Sequence, residues 1–276
     1  MLEILKAVLF GIVEGITEWL PISSTGHMIL LNEFVTLDVS PEFWEMFLVV
    51  IQLGAIMAVV VLFWNKIFPF DLTGKGKDGF LKKDIWVMWF KVLVACVPAM
   101  VYGILLDDLL EPYLYNATVV AVMLIVVGIA FIVIENWNKG RKSRVKSLAK
   151  LTYRDAAIIG MFQLIAAILP GTSRSGATII GALLIGVSRV VSAEFTFYLA
   201  IPVMFGASLL KLLKFGLAFS GTEAVLLIVG MVVAFAVSMF VISFLMGYIK
   251  KHDFKVFGWY RIVLGIVVLG YFLIAG

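Results

Sequence analysis

Six long apolar runs constrain this chain more than any other feature of its sequence. They cover approximately residues 43–64, 85–106, 117–135, 194–214, 223–249 and 257–275. Each is close to the ~20 residues that a helix needs to cross a bilayer. Only 14% of the residues are charged, against roughly 25% in soluble domains, and the mean hydropathy is +1.10. We therefore predict an all-α polytopic membrane protein with six transmembrane helices.

Two further apolar segments are interrupted by related motifs. The first motif, residues 14–27, reads EGITEWLPISSTGH, and the second motif, residues 163–178, reads QLIAAILPGTSRSGAT, beginning 149 positions later. At that offset the two Leu-Pro pairs coincide and Ser24 aligns with Ser173. Non-helical backbone at membrane depth is tolerated mainly where it lines a site. The two motifs are therefore the predicted functional region.

The loops predict how the spans are oriented. The loops rich in lysine and arginine are 65–84, 136–154 and 250–256, and the loops that lack both are 32–42, 107–116 and 215–222. The positive-inside rule places the first group in the cytoplasm and the second group outside. The broken segment 2–31 then enters the membrane from outside and the segment 155–187 from the cytoplasm, both as re-entrant segments that leave on the side they entered.

The same topology predicts two related halves. Residues 1–135 form the first repeat, residues 155–276 the second, and the basic loop 136–154 joins them. Each repeat has one re-entrant segment and three spans. Because three is odd, the halves have opposite orientations, which predicts an inverted-topology repeat. Glu45 and Glu194 fit the same offset, each near the start of the span that follows the re-entrant segment.

Glu14 and Glu18 lie four residues apart, so on a helix both carboxylates share one face. Two carboxylates that close repel each other unless a cation or an arginine neutralises them. Ionisable residues in membrane segments usually mark function. Both are therefore candidate ligands of a divalent cation or partners of an arginine, and Glu18 is also a candidate catalytic group. The alternative is a surface pair on a shallow helix, with Lys6 as its partner.

Hydroxyl residues and a histidine follow these acids directly. Ser24 is the predicted nucleophile, and His27, three residues later, is a predicted acid-base group. Ser23 and Thr25 are predicted to bind the substrate. The alternative for His27 is a hydrogen bond to a neighbouring span.

Small residues and an arginine in the second motif predict a phosphate cradle. Backbone N–H groups at small residues converge on an anion, and the helix that follows points its positive N-terminus at it. Arg174 adds a rigid fork that suits phosphate oxygens, so we predict a catalytic role for it. The predicted phosphate-binding residues are Gly171, Thr172, Ser173, Ser175 and Thr178. The alternative is a helix break in which Arg174 pairs with a carboxylate such as Glu18, and the two descriptions are compatible without substrate.

Arg189 and Glu194 lie near the entrance of the fourth span. We expect an interfacial ion pair between them and no part in the chemistry. Cys96 is the only cysteine, which excludes a disulfide and a cysteine metal site.

Both motifs closely resemble those of the undecaprenyl pyrophosphate phosphatase family of the bacitracin-resistance type. The family's first motif, Glu-Gly-x-Thr-Glu followed by Leu-Pro-x-Ser-Ser-Thr-Gly-His, corresponds to residues 14–27. Its second, Pro-Gly-x-Ser-Arg-Ser-Gly-x-Thr, corresponds to residues 170–178, and residues 197–202 are also typical of the family. Chain length and span count match as well, so the resemblance covers the whole chain.

The resemblance implies an enzyme of the bacterial plasma membrane that hydrolyses undecaprenyl diphosphate to undecaprenyl phosphate. The product is a lipid carrier reused for cell-wall synthesis, and overproduction of such an enzyme gives bacitracin resistance. The family also implies dependence on Mg²⁺ or Ca²⁺. We expect in-line attack by Ser24, proton transfer to Glu18, and stabilisation of the phosphoryl oxygens by Arg174. Attack by His27 or by water is the alternative.

The rival class is a polyprenyl-phosphate transporter or flippase, because inverted repeats with broken helices are a transporter architecture. The Ser24, His27 and Glu18 cluster favours the enzyme, since a flippase needs no nucleophile. We expect a polyprenyl diphosphate and the bilayer as partners, with no nucleic acid, and a homodimer is left open. Ser24 and His27 lie in the outer re-entrant segment, so we expect the site to open outward.

Overall fold

The computed structural model describes residues 1–71, 80–106, 113–216 and 219–275, and within them it is helical with no β-strand. The helices are α1 (Leu2–Thr17), α2 (Ser24–Phe34), α3 (Pro41–Leu62), the short α4 (Trp64–Ile67), α5 (Lys83–Leu105), α6 (Ala117–Trp137), α7 (Tyr153–Ile168), α8 (Arg174–Leu184), α9 (Arg189–Phe215), α10 (Gly221–Tyr248) and α11 (Lys255–Ala275). A 3₁₀ turn, Leu148–Lys150, precedes α7.

Six of these helices are long and apolar enough to cross a membrane: α3, α5, α6, α9, α10 and α11. They confirm the predicted fold class and the six spans. The fourth span begins earlier than predicted, at Arg189, because the Ser188 side chain caps the helix by accepting from Val191 N at 3.4 Å. Lys75 and Lys77 of the basic loop, and parts of two loops predicted to lie outside, residues 107–112 and 217–218, lie outside the described residues.

The two interrupted segments each form a helical hairpin. Helices α1 and α7 both have 16 residues, and α2 and α8 both have 11. The ends of each hairpin meet. In the first, Asp38 N donates to Glu3 Oε2 at 2.9 Å. In the second, Arg144 joins the two ends, because its Nη2 donates to Asp155 Oδ1 at 2.5 Å and its Nε donates to Ile185 O at 3.2 Å.

Both hairpins turn at a serine with left-handed backbone. Ser23 has φ 75° and Ser173 has φ 68°, and no other non-glycine residue in the described ranges has positive φ. Each serine caps the next helix, accepting from Gly26 N at 3.3 Å and from Gly176 N at 3.2 Å. The structural equivalent of Ser173 is therefore Ser23. The alignment of Ser24 with Ser173 is wrong by one residue, because the chain has one more residue between proline and capping serine in the second hairpin.

Ion pairs bring the ends of the three basic loops to one end of the bundle. Glu135 accepts from Arg189 Nε at 2.9 Å and from Phe254 N at 3.0 Å. Lys66 Nζ lies 2.6 Å from Glu194 Oε1. The predicted pair between Arg189 and Glu194 is therefore wrong. Residues five apart on a helix do not face each other, so each side chain pairs with another element instead.

The opposite end of the bundle has an ion pair of its own. Lys211 Nζ, near the end of α9, lies 3.3 Å from Glu45 Oε2, near the start of α3. The pair between Glu194 and Lys66, which lies in the short α4 directly after α3, joins the other ends of α3 and α9. These two spans are therefore antiparallel neighbours.

Glycines let each hairpin pack closely on the other half of the chain. A Cβ at Gly11 of α1 would lie 2.7 Å from Gly230 O of α10, and one at Gly160 of α7 would lie 2.5 Å from Ala95 O of α5. The first helix of each hairpin thus rests on the middle span of the other half. An inverted repeat requires this reciprocity, and the repeat and the domain bounds drawn from it stay predictions.

Candidate active site

Glu18 and Arg174 join the two motifs at the centre of the candidate site. Arg174 Nη2 donates to Glu18 Oε1 at 2.8 Å, and Ser24 Oγ donates to Glu18 Oε2, also at 2.8 Å. Ser175 Oγ donates to the backbone carbonyl of Glu18 at 3.2 Å. Glu18 is only 7% exposed, so the arginine balances a charge that water cannot. The predicted pairing of Arg174 with Glu18 is observed. The same carboxylate also accepts from Ser24, the predicted nucleophile.

Glu14 lies one helical turn before Glu18 and is 1% exposed. It is within electrostatic range of Glu18 and Arg174, and its Oε1 atom has no hydrogen-bond partner among the described residues. The surface alternative for these acids is wrong, because both are buried and Lys6 pairs with Glu3 at 2.7 Å.

A buried carboxylate oxygen without a partner suits a divalent cation, since hard cations take oxygen ligands. Glu14 and Glu18 therefore fit the predicted metal as donors. The described residues contain no group of three or more His, Cys, Asp or Glu side chains that would form a complete site. Substrate oxygens or water have to supply the remaining ligands.

Both ring nitrogens of His27 are engaged by groups other than Ser24. Nδ1 lies 2.7 Å from Ser23 O, and Nε2 lies 2.7 Å from the Tyr260 hydroxyl, whose ring stacks on the imidazole. A carbonyl only accepts, so Nδ1 has to carry a proton. In the neutral ring Nε2 then accepts from Tyr260. The alternative expected for His27, a hydrogen bond to a neighbouring span, is therefore observed.

The remaining hydroxyls of the second motif hold Arg174 and the helix start. Ser173 Oγ lies 3.1 Å from Ser175 Oγ. Thr178 Oγ1 donates to Arg174 O at 2.9 Å and lies 2.9 Å from the hydroxyl of Thr196 on α9. Thr196 O also accepts from Arg174 Nη1 at 3.3 Å. Thr178 is fully buried, which favours a supporting role over the predicted contact with phosphate.

The turn before α8 abuts α6. Gly171 has φ 85°, and a Cβ there would lie 2.5 Å from Val120 O. Thr172 is buried and its hydroxyl has no partner among the described residues. Ser173 accepts from the N–H groups of Gly176 and Ala177, so the N–H groups before them are the donors that this turn offers to an anion. Thr25, on the facing hairpin, is partly exposed.

Arg261 on α11 ties the two turns together, and the sequence analysis did not single it out. Its Nη1 donates to Pro21 O at 3.2 Å, and its Nη2 donates to Gly171 O at 2.7 Å and to Thr172 O at 3.0 Å. It is fully buried. A charged residue within an apolar span was the available signal. Nothing in the sequence pattern distinguishes its neighbour Tyr260, which contacts His27.

Comparison with known proteins decides the family. The family described as "Bacitracin resistance protein BacA" matches residues 7–267. The chain belongs to this family. It is 64% identical over 272 residues to the undecaprenyl-diphosphatase of Desulfitobacterium hafniense, covering 99% of this chain and 97% of that protein. It is also 64% identical over 268 residues to the undecaprenyl-diphosphatase of Enterococcus faecalis, covering 97% and 96%.

A third relative, undecaprenyl-diphosphatase 1 of Clostridium acetobutylicum, is 62% identical over 273 residues, covering 99% of this chain and 98% of that protein. The family match includes both motifs and also Tyr260 and Arg261. The contacts that join the two motifs to each other and to α11 therefore lie within the part of the chain that the family shares.

Proposed function

We propose that this member of the BacA family hydrolyses undecaprenyl diphosphate to undecaprenyl phosphate and inorganic phosphate. The reaction recycles the lipid carrier for cell-wall synthesis and gives bacitracin resistance. The observation that carries the proposal is the double engagement of Glu18, which accepts from Ser24 and from Arg174. Relatives at 62% to 64% identity that bear the name of this phosphatase support it.

Ser24 is the nucleophile of the first step. Its Oγ attacks the terminal phosphorus in line with the bridging oxygen, and its proton passes to Glu18 Oε2, to which it is already hydrogen-bonded. The bond from phosphorus to the bridging oxygen breaks, and undecaprenyl phosphate leaves. This assignment is supported by the position of His27, which is hydrogen-bonded to Ser23 and Tyr260.

Arg174 exchanges part of its pairing with Glu18 for the phosphoryl oxygens as charge moves onto them. Its planar fork, Ser173 and the free N–H groups at the start of α8 then face the transferred group. In the second step water attacks the phosphoserine. His27 takes the proton of that water, the bond from phosphorus to Ser24 Oγ breaks, and protonated Glu18 returns its proton to Oγ, so that Ser24 is regenerated and inorganic phosphate leaves.

Glu14 and Glu18 are the proposed ligands of Mg²⁺ or Ca²⁺. When bound, the cation neutralises phosphate charge and orients the diphosphate. The unpaired Oε1 of buried Glu14 supports this role.

The proposed setting is the bacterial plasma membrane. The halves form an inverted repeat with re-entrant hairpins, and the polar route to Ser24 opens to the outer side, where the spent carrier is released. The hairpin ends that meet, at Asp38 for the first and at Arg144 for the second, support this topology. The isoprenoid tail lies among the apolar spans.

The transporter alternative has no support from the comparisons, because the relatives are named for a phosphatase. The test is phosphate release from undecaprenyl diphosphate by the purified protein in detergent, run beside a lipid-flipping assay in vesicles. We expect phosphate release with multiple turnovers. Flipping without phosphate release would overturn the proposal.

A further inference from the structure

A polar cavity lies at the end of the bundle where the basic loops meet. It has a volume of about 550 Å³ and lies between the segment that follows α6, the end of α8 and the start of α9. Its charged lining consists of five cationic side chains and one acid: Arg141, Lys142, Arg144, Arg189, Lys250 and Glu135. Helix α8 separates it from the catalytic turn by its 11-residue length, about 16 Å.

Two of the five cations are neutralised inside the wall. Arg189 forms a two-pronged pair with Glu135, with Nε at 2.9 Å from Oε1 and 3.1 Å from Oε2. Arg144 pairs with Asp155 at 2.5 Å. The cavity therefore keeps three cations that form no ion pair with a described carboxylate.

These three cations, Arg141, Lys142 and Lys250, line the cavity and are exposed. The Arg141 guanidinium is held 4.2 Å above the ring of Trp137. Cations around a concave, partly desolvated surface raise its potential more than the same charges spread over a flat one.

The wall itself is fixed by hydrogen bonds. Val145 N donates to Gly186 O at 3.2 Å, and Ser188 N donates to Val145 O at 2.9 Å. Asn138 Nδ2 donates to Leu183 O at 3.2 Å. These bonds occupy carbonyls at the end of α8, which would otherwise repel an anion. The positive-inside rule explains why this end is basic, but it does not require the charges to surround an ordered cavity.

We propose that this cavity binds the phosphate group of an anionic ligand, separately from the catalytic site. Arginine and lysine donors without carboxylate partners match phosphate oxygens in charge and geometry. Half-exposed Trp137 and Leu184 form an apolar rim beside them, which suits the headgroup of an anionic phospholipid. A soluble phosphate would use the same donors and not the rim.

The test compares two triple variants of the full-length protein in detergent. The cavity variant is Arg141→Gln, Lys142→Gln and Lys250→Gln. The matched control is Lys146→Gln, Lys150→Gln and Lys251→Gln, which removes three exposed cations from the same two loops outside the cavity lining. Binding of dioctanoyl phosphatidylglycerol, dioctanoyl phosphatidylcholine and inorganic phosphate is measured for each by native mass spectrometry, with phosphatase activity as the check on folding.

We expect the cavity variant to bind phosphatidylglycerol at least about tenfold more weakly than wild type, and the control to stay within about twofold. Both should keep wild-type activity. If inorganic phosphate binds with the same dependence on the cavity residues, the ligand is a soluble phosphate held by the same donors. If inorganic phosphate does not compete with phosphatidylglycerol, the ligand is the lipid headgroup. Equal weakening in both variants, or equal binding of phosphatidylcholine and phosphatidylglycerol, would overturn the proposal.

Discussion

At the scale of single residues, the decisive feature is the use of both oxygens of the Glu18 carboxylate. One accepts from Ser24 and the other from Arg174. This buried acid, the proposed base, therefore contacts both the proposed nucleophile and the proposed donor to the phosphoryl oxygens. A serine hydroxyl is a weak nucleophile until a base takes its proton. A buried carboxylate that already accepts from that hydroxyl is such a base.

The first prediction follows from this contact. Ser24→Ala removes the attacking oxygen and should lower kcat at least about a hundredfold, the scale for loss of a catalytic group. Ser243→Ala is the control, because that exposed hydroxyl donates only to the carbonyl of Met239 in its own helix. Steady-state phosphate release measures both. A mild loss in Ser24→Ala would move the nucleophile to His27 or to water.

The second prediction concerns the cation. A chelator should abolish activity, and Mg²⁺ or Ca²⁺ should restore it. Glu14→Gln removes a charged ligand and should raise the metal concentration for the half-maximal rate at least about tenfold. Glu45→Gln, which alters an exposed acid paired with Lys211, should leave that concentration unchanged. Full activity in the presence of the chelator would contradict the metal site, and Glu14 and Glu18 would then serve only as base and as partners of Arg174.

Sequence reasoning found the acids, the serines and Arg174 because each departs from an apolar background. It did not find Arg261 or Tyr260, which lie in the last span and reach the site only through the fold. Their contacts with Gly171 and His27 join residues 90 and 233 positions apart. No local spacing encodes such a contact, and the orientation of His27 toward Tyr260 was equally hidden.

At the scale of elements, the two hairpin turns carry the strain of the fold. Ser23 (φ 75°, ψ 99°) and Ser173 (φ 68°, ψ 120°) have a sparsely populated backbone conformation, which costs a non-glycine residue roughly 1–3 kcal/mol. Packing and capping hold them there. The result is that the starts of both short helices lie next to Glu18, where Ser24 and Arg174 contact the same carboxylate.

The third prediction tests how tightly the second turn is packed. Gly171→Ala places a Cβ 2.5 Å from Val120 O, so it should lower the melting temperature in detergent by several degrees and reduce phosphate release. Gly140→Ala is a close control, because Gly140 has φ 79° and open space around its Cβ position. It should lower the melting temperature less and spare activity. Equal losses of melting temperature and activity in the two variants would mean that the positive φ, and not the contact with Val120, makes the substitution costly.

At the scale of the whole molecule, the sequence predicted the six spans because apolar length is set by bilayer thickness. It also predicted which loops lie together, and the ion pairs of Lys66 and Glu135 confirm that the basic loops share one end. It failed on the partners of Arg189 and Glu194. Their nearest opposite charges lie on other helices, which one sequence cannot reveal.

The fourth prediction concerns sidedness. In a Cys96→Ala background, Asp38→Cys and Asn116→Cys should react with an impermeant thiol reagent in intact cells, and Ser143→Cys should react only after lysis. Asp38 and Asn116 are exposed in the structure. Thr25→Cys should also be labelled from outside, with protection by a substrate analogue. Labelling of position 25 only from the cytoplasmic side would overturn the outward-facing site even if the spans stand.

The central claim is that the two motifs form one phosphatase site. The most direct measurement is kcat for phosphate release from undecaprenyl diphosphate by purified Glu18→Ala, His27→Ala and Arg174→Ala. Arg154→Ala, which alters an exposed arginine at the start of α7, serves as the control. Each of the three site variants should lose at least about a hundredfold, and the control should match wild type. Wild-type turnover in all three site variants would contradict the account.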